Sequence, residues 1–202
     1  MGEKAKAAKK IVQKLSLRPA KGKKYNRLVS ESLAQIGSSQ AKRGNHALAK
    51  KTFGEAKAFA IDEKDALERD LILREIAYRE AEAGLFDDSH STIECIKWDE
   101  NKNWALNRLA SQQAREGKYS DAKKTSRKIN DAAILCPILS ELAEVEIYDG
   151  KINCAVATIL EARKKAMEIE NKMVKQVALE ILDDIEKGMH ADLITIQKRL
   201  KL

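Results

Sequence analysis

The chain has 202 residues and a net charge of +7; 34% of its residues are charged, 44% hydrophobic and only 4% aromatic, with two prolines. That balance fits a soluble helical protein better than a β-sandwich or barrel, which needs turn residues and aromatics. No apolar run approaches the ~18 residues of a membrane span, and Cys95, Cys136 and Cys154 are too few and too far apart for a disulfide framework or a zinc site. Read as small buried apolar residues, they suit a reducing cytoplasm.

From the N-terminus, residues 1–24 form a cationic tail. It holds Lys9, Lys10, Lys14, Arg18, Lys21, Lys23 and Lys24, plus Lys4 and Lys6, against Glu3 alone, a net +8 that leaves −1 for the other 178 residues. Ile11, Val12, Leu15 and Leu17 add some amphipathic character. Two accounts stay open. The segment is either a solvated, solubilising tail or short helix, or an arm that grips nucleic acid or another anionic surface through phosphates. The absence of aromatics before Tyr25 weighs against recognition by base stacking.

From Tyr25 onward a helical pattern recurs about glycines. Gly84, Gly117 and Gly150 stand 33 residues apart, and Gly44 and Gly188 extend the series at intervals of 40 and 38. Such a period marks stacked supersecondary units. Leu33, Leu73, Leu106, Leu139 and Val177 stand eleven residues before each glycine; Ile36, Ile76, Leu109 and Leu142 stand eight before, each followed by Gly or Ala; Ala41, Ala81, Ala114, Ile147 and Ile185 stand three before. These offsets trace one helical stripe. Past the glycine, Ala49, Ser89, Ala122 and Ala155 stand at +5, Phe53, Ile93 and Ile159 at +9 with Ser126 the exception, and Ala56, Ile96, Ile129 and Ala162 at +12. Each unit is therefore helix, tight turn, helix, with the glycine in left-handed conformation at the turn and small residues where two axes cross. The longer intervals predict longer second helices around Ala60–Lys64 and Lys164–Glu170. Pro137 is expected in a first helical turn, and residues 169–202 are expected to form an atypical capping hairpin behind four hairpins at 25–168.

This arrangement resembles the tetratricopeptide repeat over roughly residues 25–187. Leu106, Leu109–Ala110, Gly117, Tyr119, Ala122 and Ile129 carry the likeness, and Leu139, Leu142–Ala143, Gly150, Ala155, Ile159 and Ala162 carry it again. The period is 33 rather than 34, Leu replaces the early aromatic, and the closing proline is missing; another α-solenoid, such as a HEAT-like stack, is the rival. The resemblance implies an all-α, right-handed α-solenoid of about five stacked helix-turn-helix hairpins whose first helices line a concave groove.

Catalytic constellations are not found. His46, His90 and His190 have no partner at metal-ligand spacing, and His46 and His190 share the +2 position with Phe86, Tyr119 and Ile152, which makes them packing residues by analogy. No phosphate-cradling loop or nucleophile elbow occurs, and no cofactor is implied. The reading is a non-enzymatic scaffold or adaptor that takes a protein or peptide segment. Its groove positions are Arg74 and Tyr78 in the second unit, Trp104, Asn107, Ser111 and Arg115 in the third, and Tyr148 in the fourth. Aromatics and Arg are the side chains that most often anchor interfaces; the alternative is that Trp104 and Tyr148 pack between neighbouring units. Ala34 and Ser38 stand where a carboxylate-clamping groove would carry Lys and Asn. Apolar residues at the open end, Leu193 and Leu200, leave homo-oligomerisation as a further outcome.

Overall fold

The computed structural model describes residues 25–200, and side chains through residue 189. Among the described residues there are nine α-helices and no strand. They are α1 (Tyr25–Lys42), α2 (His46–Ile61), α3 (Ala66–Glu82), α4 (Phe86–Ile93), α5 (Asp99–Arg115), α6 (Tyr119–Ser126), α7 (Ala132–Tyr148), α8 (Ile152–Met167) and α9 (Lys172–Leu200). The chain divides into two compact units, residues 1–98 and 99–202. In the first, α1 pairs with α2 and α3 with α4, and α1 also packs on α3. In the second, α5 pairs with α6 and α7 with α8; α5 packs on α7, and α9 packs on α7 and α8.

Gly44, Gly84, Gly117 and Gly150 have φ between 72° and 78°, the left-handed conformation the pattern predicts. Each ends its helix in a Schellman motif: the glycine N–H donates to the carbonyl three residues back, and the next N–H donates to the carbonyl five residues back, at 2.7–3.0 Å. The chain reverses and enters the second helix with no side-chain cap. The small residues at the crossing are buried, among them Ala77, Ala110 and Ala143 before the turn and Ala49, Ala122 and Ala155 after it. Ser89, the departure at this position, turns its hydroxyl onto the Ala77 carbonyl at 2.8 Å.

A second, polar repeat lies beneath the apolar one. Four residues before each turn glycine stand Gln40, Glu80, Gln113 and Glu146; eight residues after it stand Thr52, Thr92, Thr125 and Thr158. Each threonine hydroxyl lies against its partner: Thr52–Gln40 at 2.8 Å, Thr92–Glu80 at 2.6 Å, Thr125–Gln113 at 2.8 Å and Thr158–Glu146 at 2.6 Å. The backbone carbonyl of the same Gln or Glu accepts the Schellman bond, so one residue closes the turn and clamps the second helix to the first.

The residue fourteen positions before each glycine varies with the length of the second helix. Where that helix runs 16 residues, as in α2 and α8, the position is Ser30 or Cys136, a donor to the carbonyl of Ala56 (3.0 Å) or Ala162 (3.6 Å). Where it stops after eight, as in α4 and α6, the N–H groups beyond it lose their helical partners. The position is then an acceptor. Asp70, fully buried, takes the N–H of Lys97 and Trp98 at 2.9 and 2.8 Å, and Asn103 takes that of Asn130 at 3.2 Å. Side chain and helix end are matched donor to acceptor. The longer second helices at the 40- and 38-residue intervals agree with the sequence reading.

Several expectations need correction. Ile96 and Ile129 lie beyond α4 and α6, in turns where their N–H groups reach back three residues to Ile93 and Ser126; they are buried and fill the space that Ala56 and Ala162 fill inside the longer helices. Pro137 is the sixth residue of α7, not in its first turn, because Asp131 caps the helix earlier by accepting from the N–H of Ala133 and Ile134. The capping hairpin expected over 169–202 does not appear among the described residues: α9 runs from Lys172 to Leu200 through Gly188 without a turn. The clamp is missing there, since Asp184 and Ile196 occupy its two positions and Leu193 replaces the small +5 residue. A second helix would have neither a latch nor room to approach. His46 is exposed rather than packed, and of the three free cysteines only Cys136 is buried; Cys95 is half-buried and Cys154 exposed.

Candidate partner-binding strip

The seven predicted groove residues fall on first helices of the hairpins, on both units, and they differ in what they touch. In the first unit, Arg74 and Tyr78 sit half-buried on α3, and Tyr78 Oη donates to Glu82 Oε1 at 2.8 Å one turn further on.

In the second unit, α5 presents Trp104, Asn107, Ser111 and Arg115 at helical spacing. Asn107 Nδ2 donates to the Ile134 carbonyl at 3.0 Å, Ser111 Oγ to Glu141 Oε2 at 2.7 Å, and Arg115 Nε to Glu141 Oε1 at 3.2 Å. These three form a polar seam that fastens α5 to α7. Asn107 and Ser111 are half-buried in this seam, while the Arg115 side chain stays 65% exposed. Trp104 remains 42% exposed and Tyr148, the last residue of α7, is 91% exposed. Tyr148 therefore does not pack between units, which removes that alternative for it.

A hollow of about 410 Å³ opens between α7 and α9, lined by Glu144, Ile147, Ile181, Asp184, Ile185, Gly188 and Met189. Its floor is apolar because Ile185 and Met189 belong to the core, and a Cβ at Gly188 would meet nothing within 4 Å. Glu144 and Asp184 make its rim acidic. Glu144 stands one helical turn before Tyr148 on α7, and Met189 lies past Gly188, where a turn is expected and α9 continues.

The electrostatics elsewhere are those of a satisfied surface. On α6 Lys123 pairs with Glu146 at 2.8 Å and Lys124 with Asp121 at 3.5 Å, and Arg127, the residue after α6, pairs with Glu161 at 3.5 Å, so these cations are matched by acids. At the turn between α7 and α8, Asp149 accepts from Tyr119 Oη at 2.8 Å and from Lys151 Nζ at 3.1 Å, and the Lys151 ammonium stands 4.0 Å over the Tyr119 ring. Those hydrogen bonds, Tyr119 first, hold the Asp149 carboxyl below its ordinary range, and the bond to Asp149 raises the Tyr119 phenol. Burial pushes the Cys136 thiol up to about 11, which suits a packing role rather than a nucleophile.

Among the described residues no group of three His, Cys, Asp or Glu side chains could hold a metal ion, and no helix is long and apolar enough to cross a membrane. The anion-binding candidates Lys9, Lys10, Lys14, Arg18, Lys21, Lys23 and Lys24 lie outside the described residues. Comparison with family models, with curated proteins and with solved structures finds no match.

Proposed function

We propose that the hairpins build a right-handed α-solenoid of the tetratricopeptide-like kind, and that the protein is a cytoplasmic, non-enzymatic adaptor holding a segment of another protein against its first helices. The observation that supports this best is Tyr148, 91% exposed at the end of α7 in a chain with few aromatics and next in sequence to Ile147, which lines a hollow with an apolar floor. Exposed Trp104 on α5 extends the same reading. Amphipathic aromatics left in solvent give large contact area at low entropic cost when a partner covers them. Asn107 and Ser111 then act by holding α5 on α7, and Arg115, 65% exposed beside them, remains open to the partner.

The test is affinity capture with the full chain and with a Trp104→Ala, Tyr148→Ala double variant whose melting temperature matches the parent. Loss of the proteins the parent retains supports the reading; an unchanged set on the folded variant overturns it. The confinement of +8 to residues 1–24 favours a second reading, nucleic-acid association through the tail. A mobility-shift titration over a salt series, comparing the full chain with one beginning at Tyr25, separates the two.

A further inference from the structure

Among the described residues, Glu80 differs from the other three clamp residues in having neither an amide nor a cation within ion-pair distance. Gln40 and Gln113 present an amide, which brings N–H donors and a carbonyl to the same place. Glu146 is ionically matched by Lys123, whose Nζ lies 2.8 Å from Oε1. Lys50 holds the corresponding place before Glu80, six residues past the preceding turn glycine, yet its ammonium is drawn away to Asp88 at 3.0 Å. Glu80 itself is 2% exposed.

The hydroxyl facing Glu80 has one proton and two acceptors. Thr92 Oγ1 is 2.6 Å from Glu80 Oε2 and 3.0 Å from the Asp88 carbonyl. If the carboxyl is ionised, the hydroxyl serves one of these oxygens and leaves the other contact as oxygen against oxygen. The same two-acceptor contact recurs at Thr158, 2.6 Å from Glu146 Oε2 and 2.9 Å from the Cys154 carbonyl, but there Lys123 matches the ionised carboxylate, whereas buried Glu80 has no cation within ion-pair distance among the described residues. With a proton on Glu80 Oε2, both contacts of Thr92 become hydrogen bonds: Glu80 donates to Thr92, and Thr92 donates to Asp88.

We propose that the α3–α4 hairpin is a proton-controlled latch, in which Glu80 keeps its proton in the folded chain and donates it to Thr92, and loss of that proton loosens α4. The helix is only eight residues long, held by buried Phe86 and Ile93 together with this bond and the Ser89–Ala77 bond. The charges acting on Glu80 from the packed elements are Lys57 and Lys50 of α2, which favour ionisation, and Asp88 of α4, which opposes it. On α1, Arg27 and Glu31 belong to the far end of α3 beside Glu68, and Lys42 is exposed.

Burial, ahead of every other influence, raises the Glu80 carboxyl from 4.5 to about 7. When α4 opens, Glu80 returns to its ordinary value, so opening releases a proton across the interval between those values. The latch is therefore fully closed below about pH 4.5, weakens as pH rises, and is spent above pH 7.

Two measurements on the full chain test this. The carbon-13 shift of the Glu80 carboxyl should titrate near pH 7, and Asp88→Asn, which frees Lys50, should move that midpoint down. Hydrogen exchange of the α4 amides, corrected for intrinsic rate, should lose protection roughly tenfold or more between pH 5 and pH 8. Glu80→Gln should show no such loss; Gln40 and Gln113 show that the site takes an amide. A Glu80 midpoint in the ordinary glutamate range overturns the proposal, as does an equal loss of α4 protection in the Glu80→Gln variant.

Discussion

Lys123 Nζ lies 2.8 Å from Oε1 of Glu146, so the carboxylate that takes the Thr158 hydroxyl is matched by a cation from the preceding hairpin. Both side chains are largely withdrawn from solvent, at 21% and 3% exposure. Lys123→Met keeps the aliphatic stem and strands the carboxylate, which should cost about 3 kcal/mol in urea unfolding. Adding Glu146→Gln should return most of that loss, because an amide already serves at Gln40 and Gln113.

Glycine replacements should change sign along the chain. At Gly117 φ is 74° and an added Cβ would meet nothing within 4 Å, so alanine there suffers only the left-handed backbone penalty. Gly117→Ala should destabilise by about 1–2 kcal/mol. At Gly188, inside α9 and equally uncrowded, Gly188→Ala should stabilise by about 0.5–1 kcal/mol. Thermal melts of the two variants check the pair; stabilisation of both would contradict the turn geometry.

Gly37 stands where the other hairpins carry alanine, and the Phe53 ring would lie 3.0 Å from a Cβ there. Gly37→Ala should therefore overpack the α1–α2 crossing by about 1–3 kcal/mol. Phe53→Leu in the same chain should relieve it, since Ile93 and Ile159 occupy the Phe53 position opposite Ala77 and Ala143. A double-mutant cycle showing simple additivity would rule out this contact as the cause.

Asp70 holds two backbone N–H groups at the exit of α4, those of Lys97 and Trp98. Asp70→Ala leaves both without that acceptor and should cost about 2–4 kcal/mol. Asp70→Asn should lose much less, because Asn103 performs the same task for Asn130. Amide exchange at residues 97 and 98 should rise sharply in the alanine variant and little in the asparagine one.

The apolar half of this fold is legible in the residues because burial imposes its period directly: the stripe eleven, eight, seven and three before each glycine is buried or half-buried in all four hairpins. The polar half is present in the sequence but reads as something else. Gln40, Glu80, Gln113 and Glu146 recur as faithfully as the leucines, yet polar side chains in charged helices ordinarily belong to solvated surface. Only their pairing with Thr52, Thr92, Thr125 and Thr158 gives them away, and the lack of such a pair around Gly188 is what marks α9 as unbroken. The strip is legible only as a face. Spacing places Asn107, Ser111 and Arg115 on one side of α5, but Glu141 on α7, which consumes two of them, lies 26 to 30 residues away.

The exchange of Ser30 and Cys136 for Asp70 and Asn103 means that each hairpin carries its own ruler. How far the returning helix travels goes with the residue fourteen positions ahead of the bend, a hydrogen donor where the helix is long and an acceptor where it is short. Swapping that residue type between hairpins, together with the stretch it governs, should transplant reach as a self-contained trait.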